Sequence, residues 1–203
     1  YSQVELRIMA HYSKEPELIQ AFEDDADIHS RTAALINGIQ VSAVTPGQRR
    51  SAKVVNFGIM YGAGPYRMSQ ELGINMDESR KLIDHYFNTY PGIRRYMDKT
   101  LENARKNGYV ETLFKRKRKT GNLSASNKNL VQAEQRAAIN MPIQGTAADL
   151  IKIAMINIHK RMNSGNYKSK MILQIHDELL FECPKDEVHI FGEMIQHEME
   201  TAV

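Results

Sequence analysis

Two neighbouring carboxylates, Asp177 and Glu178, interrupt the apolar stretch MILQIHDELLFE, which runs from Met171 to Glu182. Apolar residues alternate on both sides of the pair, so the pattern predicts a β-hairpin with Asp177 and Glu178 at its apex. Two-residue hairpin turns favour Gly or Asn because these residues accept positive φ, and an Asp-Glu apex breaks that rule. Mg²⁺ prefers oxygen ligands, and two-metal phosphoryl transfer needs such ligands. The pair therefore suggests a metal site, with an acidic surface turn as the alternative.

Strand geometry limits what this acidic pair can bind. We predict that Met171, Leu173 and Ile175 share one face of the first strand. Adjacent side chains of an extended chain point to opposite faces, so Asp177 and Glu178 do not both bind one ion head-on. A Mg²⁺ site on this hairpin therefore needs another carboxylate from elsewhere.

A second set of chemically useful side chains recurs every four positions in RRSAKVVNFGIMYG: Arg49, Lys53, Phe57 and Tyr61. Residues four apart drift by only ~40° around a helix, so these four form one stripe, apart from an apolar face. Cations near a helix N-terminus suit a polyphosphate, because the helix dipole and the unpaired amides already favour anions there. Aromatic rings one or two turns later suit a sugar or a base. A solvated basic face beside core aromatics is the alternative.

A run of cations lies in or beside a predicted short hairpin around Val110 to Phe114. Its members are Lys115, Arg116, Lys117, Arg118 and Lys119. Such a cluster suits the phosphate backbone of a nucleic acid, with an affinity that falls as salt rises. A solvated loop or a targeting signal has the same composition.

The stretch QRAAINMPIQG supplies three hydrogen-bond donors, Arg136, Asn140 and Gln144. Arg136 and Asn140 share a helix face, Pro142 is predicted to end that helix, and Gln144 starts the next one. The minor groove offers acceptors at every base pair, so this trio suits duplex of any sequence. Helix capping around the proline is the alternative.

The elements that must position these residues are mostly helical, and the periodicity predicts a mainly α protein with a small antiparallel β component, an α+β fold. Predicted helices run from Val4 to Tyr12, Pro16 to Phe22, Asp27 to Ile36, Gln48 to Tyr61, a short one to Leu72, Met76 to Tyr90, Ile93 to Lys106, Ser126 to Met141, Gly145 to Met162 and Asp186 to Val203. The two predicted hairpins are those of the basic run and of the acidic pair.

Composition bounds the class of protein. The chain has 203 residues, 42% of them hydrophobic, which suffices for one ordinary domain or two small ones. Lys and Arg exceed Asp and Glu by only 27 to 24, so the cations matter where they cluster. The single cysteine, Cys183, excludes an internal disulfide framework and a multi-cysteine zinc site. No apolar run approaches ~18 residues, so we expect no membrane span.

The chain resembles the bacterial DNA polymerase I family, or family A DNA polymerases, in four motifs that follow in the same order: YSQVELRIMAHYS, RRSAKVVNFGIMYG, QRAAINMPIQGTAAD and QIHDELLFE. The resemblance implies the fingers of a right-hand polymerase with part of its palm. It places a palm remnant in residues 1–14, the fingers in 15–134 and a palm portion in 135–203. The implied activity is DNA synthesis in replication and repair, in which a primer 3′-hydroxyl attacks the α-phosphate of a dNTP.

The resemblance also implies residue roles. Asp177 is the implied ligand of two Mg²⁺ ions, and Glu178 and Lys53 are implied beside the chemistry. The implied dNTP site comprises Ser2, Gln3, Glu5, His29, Arg49, Lys53, Phe57 and Tyr61. The implied contacts to primer-template DNA comprise Arg136, Asn140, Gln144, His176, Lys115, Arg116, Lys117 and Arg118.

Individual roles within the dNTP site follow from the same resemblance. Arg49 and Lys53 hold the triphosphate, Phe57 lies against the sugar and Tyr61 lies near the templating base. Glu5 helps to exclude a 2′-hydroxyl. Phe rather than Tyr at position 57 implies a preference against dideoxynucleotides.

Two departures from the family pattern bear on these roles. In the family an aspartate precedes the Tyr-Ser-Gln of the first motif, whereas this chain begins at Tyr1, so we expect the second metal carboxylate to be absent. The family also tends to have Gly followed by arginines at the basic run, which leaves the register of that hairpin open. We expect a fragment that is inactive alone and lacks the thumb.

The parent protein is expected to be a cytoplasmic monomer that works on chromosomal DNA and contacts no membrane. A non-catalytic nucleic-acid-binding module is the main alternative, since it would keep the basic surfaces. A metal-dependent nuclease would explain the two carboxylates, but it leaves the order of residues from Arg49 to Tyr61 unexplained.

Overall fold

The computed structural model describes residues 3–202, which form two compact units. The large unit is Leu6–Ile143, and the small unit comprises residues 3–5 and 144–202. Helices dominate, and two antiparallel two-stranded sheets complete the described part, which confirms the predicted α+β class. No helix among residues 3–202 is long and apolar enough to cross a membrane.

The elements follow in this order: α1 (Val4–Ser13), α2 (Pro16–Glu23), α3 (Ile28–Asn37), α4 (Pro46–Met60), α5 (Pro65–Leu72), α6 (Met76–Thr89), α7 (Pro91–Asn107), β1 (Tyr109–Glu111), β2 (Lys117–Lys119), α8 (Lys128–Ser164), β3 (Lys170–Ile175), β4 (Glu178–Glu182) and α9 (Val188–Glu200). A short 3-10 helix, Val41–Ala43, lies in the connection before α4.

Local sequence signals start the two helices that matter most for the site. The Asp27 side chain accepts hydrogen bonds from the backbone of His29 and Ser30 and so caps α3. Thr45 caps α4, and Gln48 completes a capping box by accepting from the Thr45 backbone. These caps satisfy backbone N–H groups that a helix start otherwise leaves unpaired.

The large unit packs α3 against α4 and α6, and α5 against α4 and α6. Its buried side chains include Val55, Ile59 and Met60 of α4. A further cluster joins α7, β1 and α8 through the following residues: Ala104, Val110, Leu123 and Ala138, with Leu101 and Met141 packed against them.

The predicted break at Pro142 is wrong, because α8 continues through this residue. A proline inside a helix removes one hydrogen bond and crowds the preceding turn, at a cost of ~3 kcal/mol. The neighbouring Ile139 and Ile143 are buried, and that packing opposes a break. In addition, the Tyr96 hydroxyl donates to the Ile139 carbonyl at 3.2 Å, which gives a partner to a carbonyl in the crowded turn.

The small unit packs one face of the β3–β4 hairpin onto α8 and α9. Its core comprises Ile158, Phe191 and Met194, with Tyr167, Met171, Leu179, Phe181 and Cys183 among the residues packed against it. The Ser169 hydroxyl lies 3.1 Å from the Cys183 sulfur.

The prediction that Met171, Leu173 and Ile175 share one face is wrong, because the strand pairing shifts between the first two. Met171 lies opposite Phe181 and packs into the core, whereas the next pair joins Leu173 to Leu180. The intervening residue is a bulge, and one extra residue reverses the alternation of faces. Leu173 and Ile175 are consequently 51% and 47% exposed.

The last helix, α9, begins at Val188 rather than at the predicted Asp186. The carboxylate of Glu187 accepts hydrogen bonds from the backbone N–H groups of Lys168 and Ser169, which holds the preceding turn outside the helix. The predicted end at Val203 lies outside the described residues.

Candidate functional site

Helix α4 presents the predicted stripe of two cations followed by two aromatic rings. Arg49 and Lys53 are exposed, while Phe57 and Tyr61 are partly buried. The two rings stack with their centroids 6.1 Å apart and their planes at 25°. The apolar side of the helix is buried, as the spacing predicted. The cationic end of the stripe is therefore accessible, whereas its aromatic end is partly covered.

The first turn of α3 lies against this stripe in the large unit. The His29 ring is buried, and its centroid lies 5.7 Å from that of Phe57. One carboxylate oxygen of Asp27 accepts from the His29 backbone N–H at 3.0 Å, and the other accepts from Nε of Arg49 at 2.5 Å. Asp27 uses only Nε of Arg49 in this bond, so the two terminal nitrogens remain to bind an anion.

The charges of this cluster follow from its geometry. Burial by itself raises the pKa of Asp27, but hydrogen bonds from Arg49 and Ser30 outweigh burial and lower the pKa to about 2. Burial lowers the pKa of His29, the nearby charge of Asp27 opposes that shift, and the charges of Arg49 and Lys53 reinforce it. Near neutral pH, two cations and one carboxylate therefore surround a neutral imidazole, which leaves a net positive charge beside the helix.

Arg136 lies at the aromatic end of α4, where it packs over Gly62. Gly62 has φ +69°, and a Cβ built on it would lie 2.9 Å from Cγ of Arg136. A glycine is required here both for the left-handed backbone and for the close approach of the arginine. The absence of a side chain at position 62 thus permits Arg136 to lie against the backbone there.

Two predicted site residues hold buried oxygens without hydrogen-bond partners among residues 3–202: Gln3 Oε1 and Asn140 Oδ1. Such an atom costs ~1–3 kcal/mol, and a native protein rarely keeps one without a reason. Gln3 also has φ 54°, a left-handed conformation that is unfavourable for a residue with a side chain. Strain of both kinds is typical of functional sites.

The remaining predicted residues near the first and third motifs are placed as follows. Glu5 is partly buried at the start of α1, and Gln144 is exposed on α8. Ser2 lies outside the described residues.

The predicted basic hairpin is confirmed as β1 and β2, but its cations are not equivalent. Arg118 forms an ion pair with Glu134, whose side chain is buried. Lys115 forms a 2.8 Å ion pair with Glu111, and Lys117 lies 4.2 Å from the centroid of the Tyr109 ring. Arg118 therefore anchors the hairpin to α8. The lysines lie on the exposed surface of the hairpin together with Arg116.

The hairpin of the small unit places its turn one residue earlier than predicted. Ile175 pairs with Glu178, so His176 and Asp177 form the turn and Glu178 is the first residue of β4. His176 has φ 52°, the positive value that the first position of a type II′ turn requires. The Gln174 side chain donates to the His176 carbonyl at 2.8 Å and supports this turn. The residue that breaks the preference of hairpin turns for Gly or Asn is thus His176.

No group of three or more His, Cys, Asp or Glu side chains within residues 3–202 could hold a metal ion. Asp177 nevertheless offers a hard oxygen ligand in a partly exposed turn. Mg²⁺ is commonly held by one or two carboxylates together with water and substrate phosphates. Asp177 fits one such position, and the other ligands must come from the substrate, from water or from another carboxylate.

Asn56 was not predicted as a site residue, although it contacts one. It is buried on α4, and its Nδ2 lies 3.1 Å from Nδ1 of His29. Asn56 falls on the same helix face as Ala52, Val55 and Ile59. A polar residue within an apolar face must find a buried partner, and that signal was present in the sequence.

The sequence profile of DNA polymerase family A matches residues 1–203. The chain belongs to this family. Among family A members, DNA polymerase I of Caldicellulosiruptor bescii is 47% identical over 203 residues, which are 100% of this chain and 24% of that protein. The thermostable DNA polymerase I of Thermus aquaticus is 44% identical over 200 residues, which are 98% of this chain and 24% of that protein. The chain thus spans about a quarter of the length of these relatives.

A solved family A structure has the same fold. The POL domain of Pol1 from M. smegmatis, in complex with DNA primer-template and dNTP, matches with a TM-score of 0.96 and 39% identity. The match covers 100% of this chain and 36% of that one. It confirms the predicted right-hand polymerase fold.

Proposed function

We propose that this chain supplies the nucleotide-binding surface and a catalytic carboxylate for template-directed DNA synthesis. The reaction transfers a deoxynucleotidyl group from a dNTP to a primer 3′-hydroxyl. The observation that carries the proposal is the arrangement on α4, where two cations precede two stacked aromatic rings and a buried histidine lies alongside. Family A membership, and likeness to a domain solved with primer-template DNA and dNTP, support it.

Arg49 and Lys53 bind the triphosphate in this proposal. Asp27 holds the guanidinium of Arg49 through Nε, so the terminal nitrogens are oriented before the substrate arrives. Such preorganisation lowers the entropy lost on binding. Lys53 is exposed one turn further along α4 and stabilises negative charge on the leaving pyrophosphate.

Phe57 and Tyr61 bind the less polar parts of the substrates. Phe57 lies against the deoxyribose, and Tyr61 lies near the templating base. Ser2, Gln3 and Glu5 are assigned to the dNTP site in this proposal, and Glu5 excludes a 2′-hydroxyl.

Asp177 is the proposed metal ligand, with Glu178 following it at the start of β4. When bound, two Mg²⁺ ions neutralise charge on the attacking and leaving oxygens. The primer 3′-oxygen forms the new bond to the α-phosphorus as the bond to pyrophosphate breaks. The part played by the chain's own residues is to hold the triphosphate in line with the attacking hydroxyl.

The proposed contacts to primer-template DNA come from α8 and from the two hairpins. Arg136, Asn140 and Gln144 donate to minor-groove acceptors, which tolerate any correctly paired sequence. His176 acts at the turn between β3 and β4, and the cations of β2 and of the turn before it contact the phosphate backbone. We assign residues 15–134 to the fingers and residues 1–14 and 135–203 to the palm of a cytoplasmic, monomeric enzyme of replication and repair.

Replacing Asp177 in the intact protein that contains this sequence tests the proposal. Asp177→Ala should slow Mg²⁺-dependent primer extension by roughly three orders of magnitude or more, because a metal ligand is lost. Binding of primer-template DNA, measured by fluorescence anisotropy at fixed salt, should stay within about threefold of wild type.

The matched control is Asp186→Ala, which removes an exposed aspartate of the same unit and should leave extension unchanged. Parallel loss of extension and DNA binding in Asp177→Ala would point to a structural role for the hairpin. Full DNA binding by the wild type without any extension would favour the non-catalytic binding module.

A further inference from the structure

A chain of buried hydrogen bonds within the large unit links His29 to Tyr90. Nδ2 of Asn56 lies 3.1 Å from Nδ1 of His29 and 3.1 Å from the hydroxyl oxygen of Thr32. That hydroxyl lies 3.0 Å from the hydroxyl of Tyr90. His29, Asn56, Thr32 and Tyr90 are respectively 4%, 1%, 0% and 1% exposed. Water therefore does not compete for these bonds.

The direction of the first bond decides the tautomer of His29. The amide nitrogen of Asn56 carries two N–H groups and only donates. The Nδ1 atom that faces it must accept, so the proton of the neutral ring is on Nε2. The second N–H of the same amide donates to the Thr32 hydroxyl at 3.1 Å, and that hydroxyl also lies 3.4 Å from Oδ1 of Asn56. The amide keeps this orientation when the hydroxyl of Thr32 gives its proton to Tyr90 and so only accepts from Asn56.

The other ring nitrogen is not part of this chain of hydrogen bonds. Nε2 of His29 has no hydrogen-bond partner within the described part of the chain. Phe57 lies against the same ring, and the charges of Arg49 and Lys53 act on it. Once Nδ1 is bound to Asn56, Nε2 is the polar atom of the ring that is left for a ligand.

We propose that Asn56, Thr32 and Tyr90 form a positioning chain that holds His29 as the neutral Nε2–H tautomer, so that the ring donates to a phosphate oxygen of the bound nucleotide. This inference rests on the proposed function of α4. The opposite tautomer would present a lone pair to the phosphate and repel it. The chain therefore makes His29 a donor without a charge, and nucleotide binding through this residue does not vary with pH near neutrality.

The charged groups around His29 are consistent with that behaviour. Asp27 precedes it on the cap of α3, and Arg49 and Lys53 face it from α4. Arg31 of the same helix is held by Glu17 and Asp24 near α2. Tyr90, which follows α6, contacts the ring only through Thr32 and Asn56.

The decisive measurement is the protonation of the ring itself. Long-range proton–nitrogen NMR of the intact protein labelled with [¹⁵N]histidine, assigned by His29→Gln, should show Nε2 protonated and Nδ1 bare at neutral pH. A protonated Nδ1, whether in the other tautomer or in the cation, overturns the proposal. This readout does not depend on catalysis, so it stays valid if the proposed polymerase activity fails.

The variant Asn56→Asp tests the proposal through the kinetics of the intact enzyme. A carboxylate at this position accepts from Nδ1–H and stabilises the imidazolium. The KM for dNTP, measured from about pH 6 to pH 8, should then change on the order of tenfold, with little change in kcat, whereas the wild type stays flat. Asn88→Asp, an exposed change of the same type on α6, should behave as wild type. Equal pH profiles for Asn56→Asp and Asn88→Asp overturn the proposal.

Tyr90→Phe keeps the proposal testable if Asn56→Asp does not fold. Loss of the Tyr90 hydroxyl frees Thr32 and lets the Asn56 amide turn, so a measurable Nδ1–H population of His29 should appear in the same NMR experiment. A ring that stays entirely in the Nε2–H form in this variant removes Thr32 and Tyr90 from the chain.

Discussion

Helices α4 and α7 both begin with Pro-Gly, yet their glycines have different surroundings. A Cβ built on Gly92 would lie 2.7 Å from Oε2 of Glu15 and 2.8 Å from the carbonyl oxygen of Ser13. A Cβ built on Gly47 would meet nothing closer than the Thr45 hydroxyl, at 3.9 Å. The same substitution at the same helix position should therefore have opposite effects.

The size of the effect at Gly92 follows from its contacts. The N–H of Gly92 donates to Oε2 of the buried Glu15 at 2.6 Å, and a bond to a charged acceptor contributes about 1.5–3 kcal/mol. Overpacking against a backbone carbonyl costs a further ~1–3 kcal/mol. Alanine regains up to ~1 kcal/mol of helix propensity. Since the bond is weakened rather than lost, Gly92→Ala should destabilise the start of α7 by about 2–3 kcal/mol.

Hydrogen exchange, measured by mass spectrometry on the intact protein, reports the loss of stability at the start of α7. Amides at the start of α7 should exchange roughly 30- to 150-fold faster in Gly92→Ala, because ~1.4 kcal/mol corresponds to a factor of ten. The matched control, Gly47→Ala, should slow exchange at the start of α4 by a few-fold, since only the helix propensity changes. Similar exchange in the two variants would refute the steric reasoning.

Three further perturbations test other contacts of the large unit. Tyr96→Phe removes the donor to the Ile139 carbonyl, so amides of α8 around that carbonyl should exchange up to about tenfold faster. Glu134→Gln leaves Arg118 without its carboxylate, so amides of β1 and β2 should exchange roughly tenfold faster or more. The pKa of Asp27 falls from 3.8 to about 2, so its contribution is complete above pH 3.8 and is lost as the pH falls through about 2. Its side chain is 37% exposed, and we therefore expect only ~1 kcal/mol. Acid-unfolding curves of wild type and Asp27→Asn should converge near pH 2.

Each of these expectations has a contrary outcome. Unchanged exchange in α8 would mean that the Tyr96 bond carries no stability, and unchanged exchange in the hairpin would say the same of the Arg118 pair. A stability difference at position 27 that persists at the acid limit would show that the ionised carboxylate is not its source.

Helix starts were predictable because their signals are local. Asp27 caps α3 through backbone groups two and three residues away, so the sequence indicated that boundary. The start of α4 was predicted at Gln48, two residues late, although Thr45 and Pro46 carry the same kind of local signal. The failure at Pro142 has the opposite cause. Burial of Ile139 and Ile143, together with a bond from a distant tyrosine, outweighs a local preference that the sequence states correctly.

The hairpin of the small unit shows a different limit. Alternation predicted two strands, but a bulge adds one residue to one of them, and no local pattern marks that residue. Register is decided by which side chains find a core, and only Met171 of the three predicted ones does. Placement of the turn at His176 follows from that register.

In the candidate site, too, the features of a single helix were predictable from the sequence and the contacts between helices were not. A period of four on one helix predicted the stripe from Arg49 to Tyr61, because all four residues share a single element. The bonds from Asp27 to Arg49 and from His29 to Asn56 join α3 to α4, and periodicity carries no information about contacts between helices. Those contacts set the charge and the protonation of the site.

The contact between Gly62 and Arg136 constrains the two positions unequally: it restricts the residue at position 62 but not the residue at position 136. A side chain at position 62 would lie 2.9 Å from Cγ of Arg136 and 3.4 Å from its Cα, and the backbone φ of +69° disfavours it in any case. Truncating Arg136 removes only the first of these obstacles, whereas Gly62 places no demand on which residue occupies position 136. A combinatorial library that varies both positions and is selected for folding alone should therefore return many residues at position 136 and almost only glycine at position 62. Any change to the packing between Gly62 and Arg136 has to begin with a substitution of Arg136.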